Sequence, residues 1–148
     1  MFPINLAQLL GWACLAFTCV VVAWRGGRPE KLGAGVIAAA WVLSTLVEQR
    51  HSWLEPQVGV FIVDILALIG FVAIAYWSRR YWAIWVAGFH AVGVLTHLLF
   101  LINPQALYRA YYMLSFSIGF LLLGALLAGV IFETGKPPAA SLRAVSRH

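Results

Sequence analysis

Five long apolar runs, separated by short loops, take up almost the whole of this 148-residue chain: Ile4 to Trp24, Leu32 to Val47, Val58 to Trp77, Trp82 to Ile102 and Leu107 to Phe132. Few folds are open to such a chain. In hydrocarbon every backbone N–H and C=O must be satisfied inside the structure, which leaves helices and closed barrels, and runs of about 20 residues have the length of a spanning helix. Composition agrees. The chain is 63% hydrophobic and 10% charged, against roughly 45–50% and 25% in soluble domains. These features predict an all-α membrane protein, a bundle of five transmembrane helices folding as one unit over residues 1–133, with a flexible basic tail over 134–148.

The second run is the shortest. Its sixteen residues before Glu48 make about 24 Å of helix at about 1.5 Å per residue, less than the hydrocarbon core. Charge decides whether it crosses. With five crossings, one side carries Arg25, Arg28, Lys31, Arg79, Arg80, Lys136, Arg143 and Arg147, and the other only Arg50 and Arg109. Without the second crossing the ten basic residues divide five against five and encode no orientation. Positive charge favours the cytoplasmic side, so five spans with the N-terminus outside and the C-terminus cytoplasmic is the expected topology. Trp24, Trp53, Tyr76, Trp77, Tyr81, Trp82 and the trio Tyr108, Tyr111 and Tyr112 fall where interfacial aromatic belts belong. The segment Met1 to Gln8 has no positive n-region and no Ala-x-Ala pattern follows, so the first run is expected to stay as a span.

The same composition argues against nucleic acid as a partner. The net charge is +5, but the basic residues sit in short loops and form no stripe with interleaved polar groups. Cys14 and Cys19 are five residues apart in one run, on different faces of a helix, and read as small buried hydrophobes. The Gly-Gly pair after Arg25 reads as a turn, with Pro29 suited to the first turn of the next helix and Glu30 to its positive end. Small residues recur at four-residue spacing, at Ala34 and Ala38, Gly35 and Ala39, Ala87 and Ala91, Gly124 and Ala128, and Ala125 and Gly129. They allow close helix packing, within the bundle or against a partner.

Asp64 is the anomaly in this pattern. No other charged residue lies between Glu55 and Arg79, and an acid inside a span is costly enough to face protein or water and to be a functional candidate. On the expected topology it lies about 9 Å below the outer boundary, and His97 about 7.5 Å. Asn5, Gln8, Ser44, Thr45, Thr96, Arg109, Tyr112, Ser115 and Ser117 fall in the same outer part, and Glu48, His51 and Glu55 in the loop above. The inner half holds Thr18, Cys19 and Ser78 and is otherwise apolar up to the loops. His90, near mid-membrane, shares a helix face with His97 about 10.5 Å away. The candidate ligand or proton site is therefore Asp64, His97, His90, Arg109, Tyr112, Glu48 and His51. Each also has a structural reading: Asp64 can pin helices by pairing with Arg109 or His97, and Arg109 can reach lipid headgroups instead.

No catalytic motif accompanies these residues, and no catalytic residue is assigned. The serines have no Gly-x-Ser-x-Gly context, and no His-x-x-x-His or Cys pair supports a divalent metal. Haem b would need His97 paired with His51 or with a ligand other than His, because His90 and His97 are too far apart on one helix to share an iron. No cofactor is expected. The function that fits best is a non-catalytic accessory or ligand-binding bundle with an outward-facing polar cluster. The alternative is a proton-coupled small-solute carrier using Asp64 and His97, although five spans give no even inverted repeat. A haem- or metal-binding redox protein ranks third. The expected partners are the lipid bilayer, a membrane protein and a second copy of the chain.

The segments Trp24 to Ala34, Val63 to Leu68 and Arg79 to Trp85, with Thr96-His-Leu98, resemble small multi-pass inner-membrane proteins of proteobacteria. The resemblance covers most of the chain up to about Phe132. It implies a bacterial inner membrane and carries no activity with it.

Overall fold

The computed structural model describes residues 6–48, 57–102 and 104–133, all but a few of them helical. They form five helices, α1 (Leu6–Arg25), α2 (Arg28–Val47), α3 (Val58–Ser78), α4 (Tyr81–Ile102) and α5 (Pro104–Phe132), each long and apolar enough to cross a membrane. Neighbours in sequence pack side by side, α5 closes back onto α1, and α2 also touches α5 across the ring. One end carries Arg25, Arg28, Lys31, Arg79 and Arg80 in the α1–α2 and α3–α4 turns. It is called the basic end below, and the opposite end the far end. The expected tail over 134–148 lies outside the described residues.

The short second run becomes a full-length helix. α2 starts at Arg28 rather than Leu32 and has 20 residues, because Pro29 occupies its first turn, where a missing N–H costs nothing. At the other turn of this end, Arg79 adopts a left-handed conformation (φ 51°) and its N–H donates to the Ala75 carbonyl at 3.0 Å, which stops α3. The start of α4 is tied to the end of α5. Glu133 accepts hydrogen bonds on its two carboxylate oxygens from the backbone N–H groups of Tyr81 and Trp82, each at 3.1 Å, and Arg80 donates to its carbonyl. These amides lie in the first turn of α4, where no intrahelical partner exists.

Each helix buries one narrow stripe. In α1 it is Gly11, Leu15, Thr18 and Val22, in α3 Ala67, Phe71, Ile74 and Ser78, and in α4 Trp82, Val86, His90, His97 and Phe100. Steps of three and four keep these residues on one face. Asp64 is three residues before Ala67, so it continues the buried stripe of α3 toward the far end. The other faces expose large apolar side chains such as Leu9, Phe17, Ile62, Leu66, Ile69, Trp85 and Met113, as a surface solvated by lipid requires.

The tightest packing surrounds Trp82. A Cβ on Gly33 of α2 would lie 2.7 Å from its ring, and a Cβ on Gly129 of α5 would overlap its Cγ and Cδ1. The indole thus sits in notches cut by two glycines. Without a hydrophobic driving force between helices in lipid, such close contact is a principal source of association.

Candidate functional site

Asp64 and His97 are in direct contact: His97 Nε2 lies 2.9 Å from Asp64 Oδ2. The second ring nitrogen is engaged as well, with Tyr111 Oη 3.3 Å from His97 Nδ1. For a neutral imidazole beside an ionised carboxylate, which only accepts, the two contacts set one tautomer. Nε2–H donates to Asp64, and Nδ1 accepts from the Tyr111 hydroxyl. The result is a hydrogen-bonded chain across three helices, from α3 through α4 to α5.

His90 approaches the same residue from nearer the centre of α4. Its Nε2 donates to the Asp64 backbone carbonyl at 3.1 Å and lies 3.8 Å from Asp64 Oδ1. Its Nδ1 is buried without a hydrogen-bond partner among the described residues. One carboxylate therefore stands between two imidazoles set two helical turns apart. Its side chain is 18% exposed, against 9% for His90 and 7% for His97, so the acid is the accessible member of the group. Phe71 stands edge-on to His90 (5.2 Å between centroids), Tyr111 edge-on to His97 (5.1 Å), and Phe100 packs on Tyr111 (4.7 Å). These rings wall the cluster on its protein side and hold the imidazoles in place.

The remaining sequence candidates fall elsewhere. Glu48 forms the C-cap of α2, its backbone N–H donating to the Ser44 carbonyl at 2.9 Å. Arg109 and Tyr112 belong to α5, but their side chains lie outside those described, and His51 lies outside the described residues altogether. Tyr111, which the sequence places only in the aromatic belt, reaches His97. The residue number alone gave no signal, since three tyrosines crowd one helix start and only helix rotation selects between them.

The outer polar layer is thinner than the sequence suggests. Thr45, Thr96 and Ser117 donate to the carbonyls of Trp41, Val92 and Met113, each four residues back in the same helix at 2.8 Å. Such local bonds spend a hydroxyl on its own helix. Gln8, Ser115 and Ser117 face outward from the bundle. Among the described side chains, Asp64, His90, His97 and Tyr111 stay in mutual contact at the centre.

The basic half also holds a buried acid. Glu30, in the first turn of α2 as the sequence suggests, is completely buried, and its Oε1 accepts a hydrogen bond from Trp82 Nε1 at 2.9 Å. Its Oε2 has no hydrogen-bond partner among the described residues. A Cβ on Gly27 would lie 2.8 Å from that oxygen, so the turn leaves room for the carboxylate by omitting a side chain. Glu30 turns inward because the notched indole supplies a fixed donor there. The two carboxylates occupy opposite halves of the bundle.

Among the described residues no group of three or more His, Cys, Asp or Glu is placed to hold a metal ion. Both nitrogens of His97 are already engaged, so its ligation to haem would require giving up Asp64 or Tyr111. Cys14 and Cys19 are free thiols, each half-buried in α1. No known protein family, curated protein or solved structure matches this chain.

Proposed function

We propose that this chain is a non-catalytic multi-pass protein of a bacterial inner membrane, N-terminus outside, whose Asp64 cluster binds a ligand or a membrane partner and exchanges a proton as it does so. The observation that carries this reading is the convergence of His90 and His97 on one partly accessible carboxylate. An acid and two imidazoles in contact can redistribute a proton without any of them entering lipid as an isolated charge, which is what makes ionisable groups affordable at this depth. The eight basic residues assigned to one side by the loop charges support the orientation.

Native purification in mild detergent tests it, with mass spectrometry of co-purifying proteins and small molecules from cells making wild type or Asp64→Asn. A component bound to wild type and lost from a folded Asp64→Asn protein is the expected result. Recovery of the bare protein in both cases, or of the same component in both, overturns the reading.

A second reading, a proton-coupled small-solute carrier, draws on one specific feature. His97 and His90 stand two turns apart on α4 with Asp64 of α3 against both, which extends the site from the outer layer toward mid-membrane. In proteoliposomes carrying a pH gradient, Asp64→Asn then abolishes proton flux; unchanged flux rejects the carrier.

A further inference from the structure

A groove between α1 and α2 at the basic end lies apart from the Asp64 cluster and goes beyond the function proposed for it. Buried Val22 and Ala34 form its floor, Cys19, Ala23 and Gly35 its sides, and Lys31 stands at the end nearest the α1–α2 turn. Its volume of about 340 Å³ is at the small end of the range of ligand pockets. We propose that this groove binds one anionic phospholipid, with an acyl chain lying over Cys19, Val22, Ala34 and Gly35 and the headgroup phosphate at the Lys31 ammonium.

The shape comes from where large side chains are missing. Further along the same seam Trp41 fills the space between the helices: a Cβ on Gly11 would lie 3.1 Å from its ring, and the Trp12 ring is 6.2 Å away. Toward the basic end the seam carries Cys19, Ala23, Ala34 and Gly35 instead. A Cβ placed on Gly35 meets nothing within 4 Å among the described residues outside its own stretch of helix. The gap is apolar and open to the surface, about one helical turn in length, which suits a segment of a hydrocarbon chain.

Charge selects the headgroup. Among the described residues that line the groove, Lys31 carries the one full charge and none is an acid. Arg25 and Arg28 flank the same turn, both exposed. An anionic headgroup neutralises this cation, whereas a zwitterionic one brings a cation of its own. Each basic residue at a membrane surface favours anionic lipid by about fivefold.

Full-length protein in nanodiscs of equal phosphatidylglycerol and phosphatidylcholine, released for native mass spectrometry, gives the test. Wild type should retain one phosphatidylglycerol in preference to phosphatidylcholine. Lys31→Gln should lower that preference about fivefold, and Gly35→Leu, whose side chain enters empty space, should remove the retained lipid while the unfolding midpoint holds. Arg79→Gln, at the same end but outside the groove, should leave the preference intact. Equal retention of the two lipids by wild type overturns the proposal, as does an equal loss in Arg79→Gln, which would mean diffuse attraction. Lipid retained by folded Gly35→Leu also overturns it. Conversion of a wild-type dimer to monomer by Gly35→Leu overturns it in favour of a second copy seated in the groove. Should Gly35→Leu not fold, the comparison of Lys31→Gln with Arg79→Gln decides alone.

Discussion

Two carboxylates within the described helices, Asp64 and Glu30, are held in opposite ways. Asp64 contacts two imidazoles and keeps part of its surface accessible, while Glu30 is fully enclosed and receives a single hydrogen bond from an indole. An imidazole can give or take a proton, and an indole N–H can only donate. The partners at the far end can therefore change state together, and the partner at the basic end cannot. Packing follows the same division. Trp82 is seated between glycines that leave no room for a methyl group, whereas the rings around His90 and His97 meet at ordinary centroid distances of about 5 Å. One acid serves a site, and the other serves a lock.

Substitution should separate the two, and the sharpest break is at the lock. Gly129→Ala forces a methyl group into Trp82 and should cost about 2 kcal/mol or more, because overpacking of about 3 kcal/mol or more outweighs the gain of about 1 kcal/mol in helix propensity. Unfolding of the purified protein in micelles measures it, and adding Trp82→Leu should return part of the loss. Next comes Glu30→Ala, at about 2 kcal/mol, since it leaves the Trp82 N–H buried without an acceptor. Glu30→Gln preserves an acceptor and should cost clearly less; equal losses for the two would mean that the hydrogen bond is not what holds Trp82.

The far-end variants should be gentler on the fold. Asp64→Asn should cost about 1 kcal/mol, and a double-mutant cycle with His97→Gln should give a coupling of about 0.6–1.7 kcal/mol, the range of polar pairs between membrane helices. A loss larger than that of Glu30→Ala would reverse the comparison and make Asp64 the structural acid. Tyr111→Phe is the smallest change, about 0.5 kcal/mol, because it removes one long hydrogen bond and keeps the ring packed on Phe100. Its main effect should be on proton exchange at His97, read as a changed hydrogen-exchange rate of the imidazole in NMR spectra.

The asymmetry also explains what could be read from the sequence. The five helices were legible because a bilayer admits so few backbones, and Asp64 and His97 stood out as polar residues inside apolar runs. Glu30 was hidden by its neighbours. Lying between Arg28 and Lys31 in an obvious turn, it looked like a helix-dipole residue, and its burial depends on Trp82, Gly33 and Gly129, which come from three different helices. The choice of Tyr111 from its trio was hidden for a related reason: nearly every face of these helices is apolar, so periodicity cannot fix their rotation. The start of α2 at Arg28 was masked by the same charged turn, where hydropathy falls before the helix does.

Glu133 adds a constraint in time. It supplies acceptors to the first amides of α4, yet it follows α5 in the chain. During synthesis the first four helices are complete before that residue exists, so the opening turn of α4 has to wait for its cap. The bundle is fastened from beyond α5, and a nascent chain stopped before Glu133 would hold all five described helices and still lack the clasp that joins the start of α4 to the end of α5.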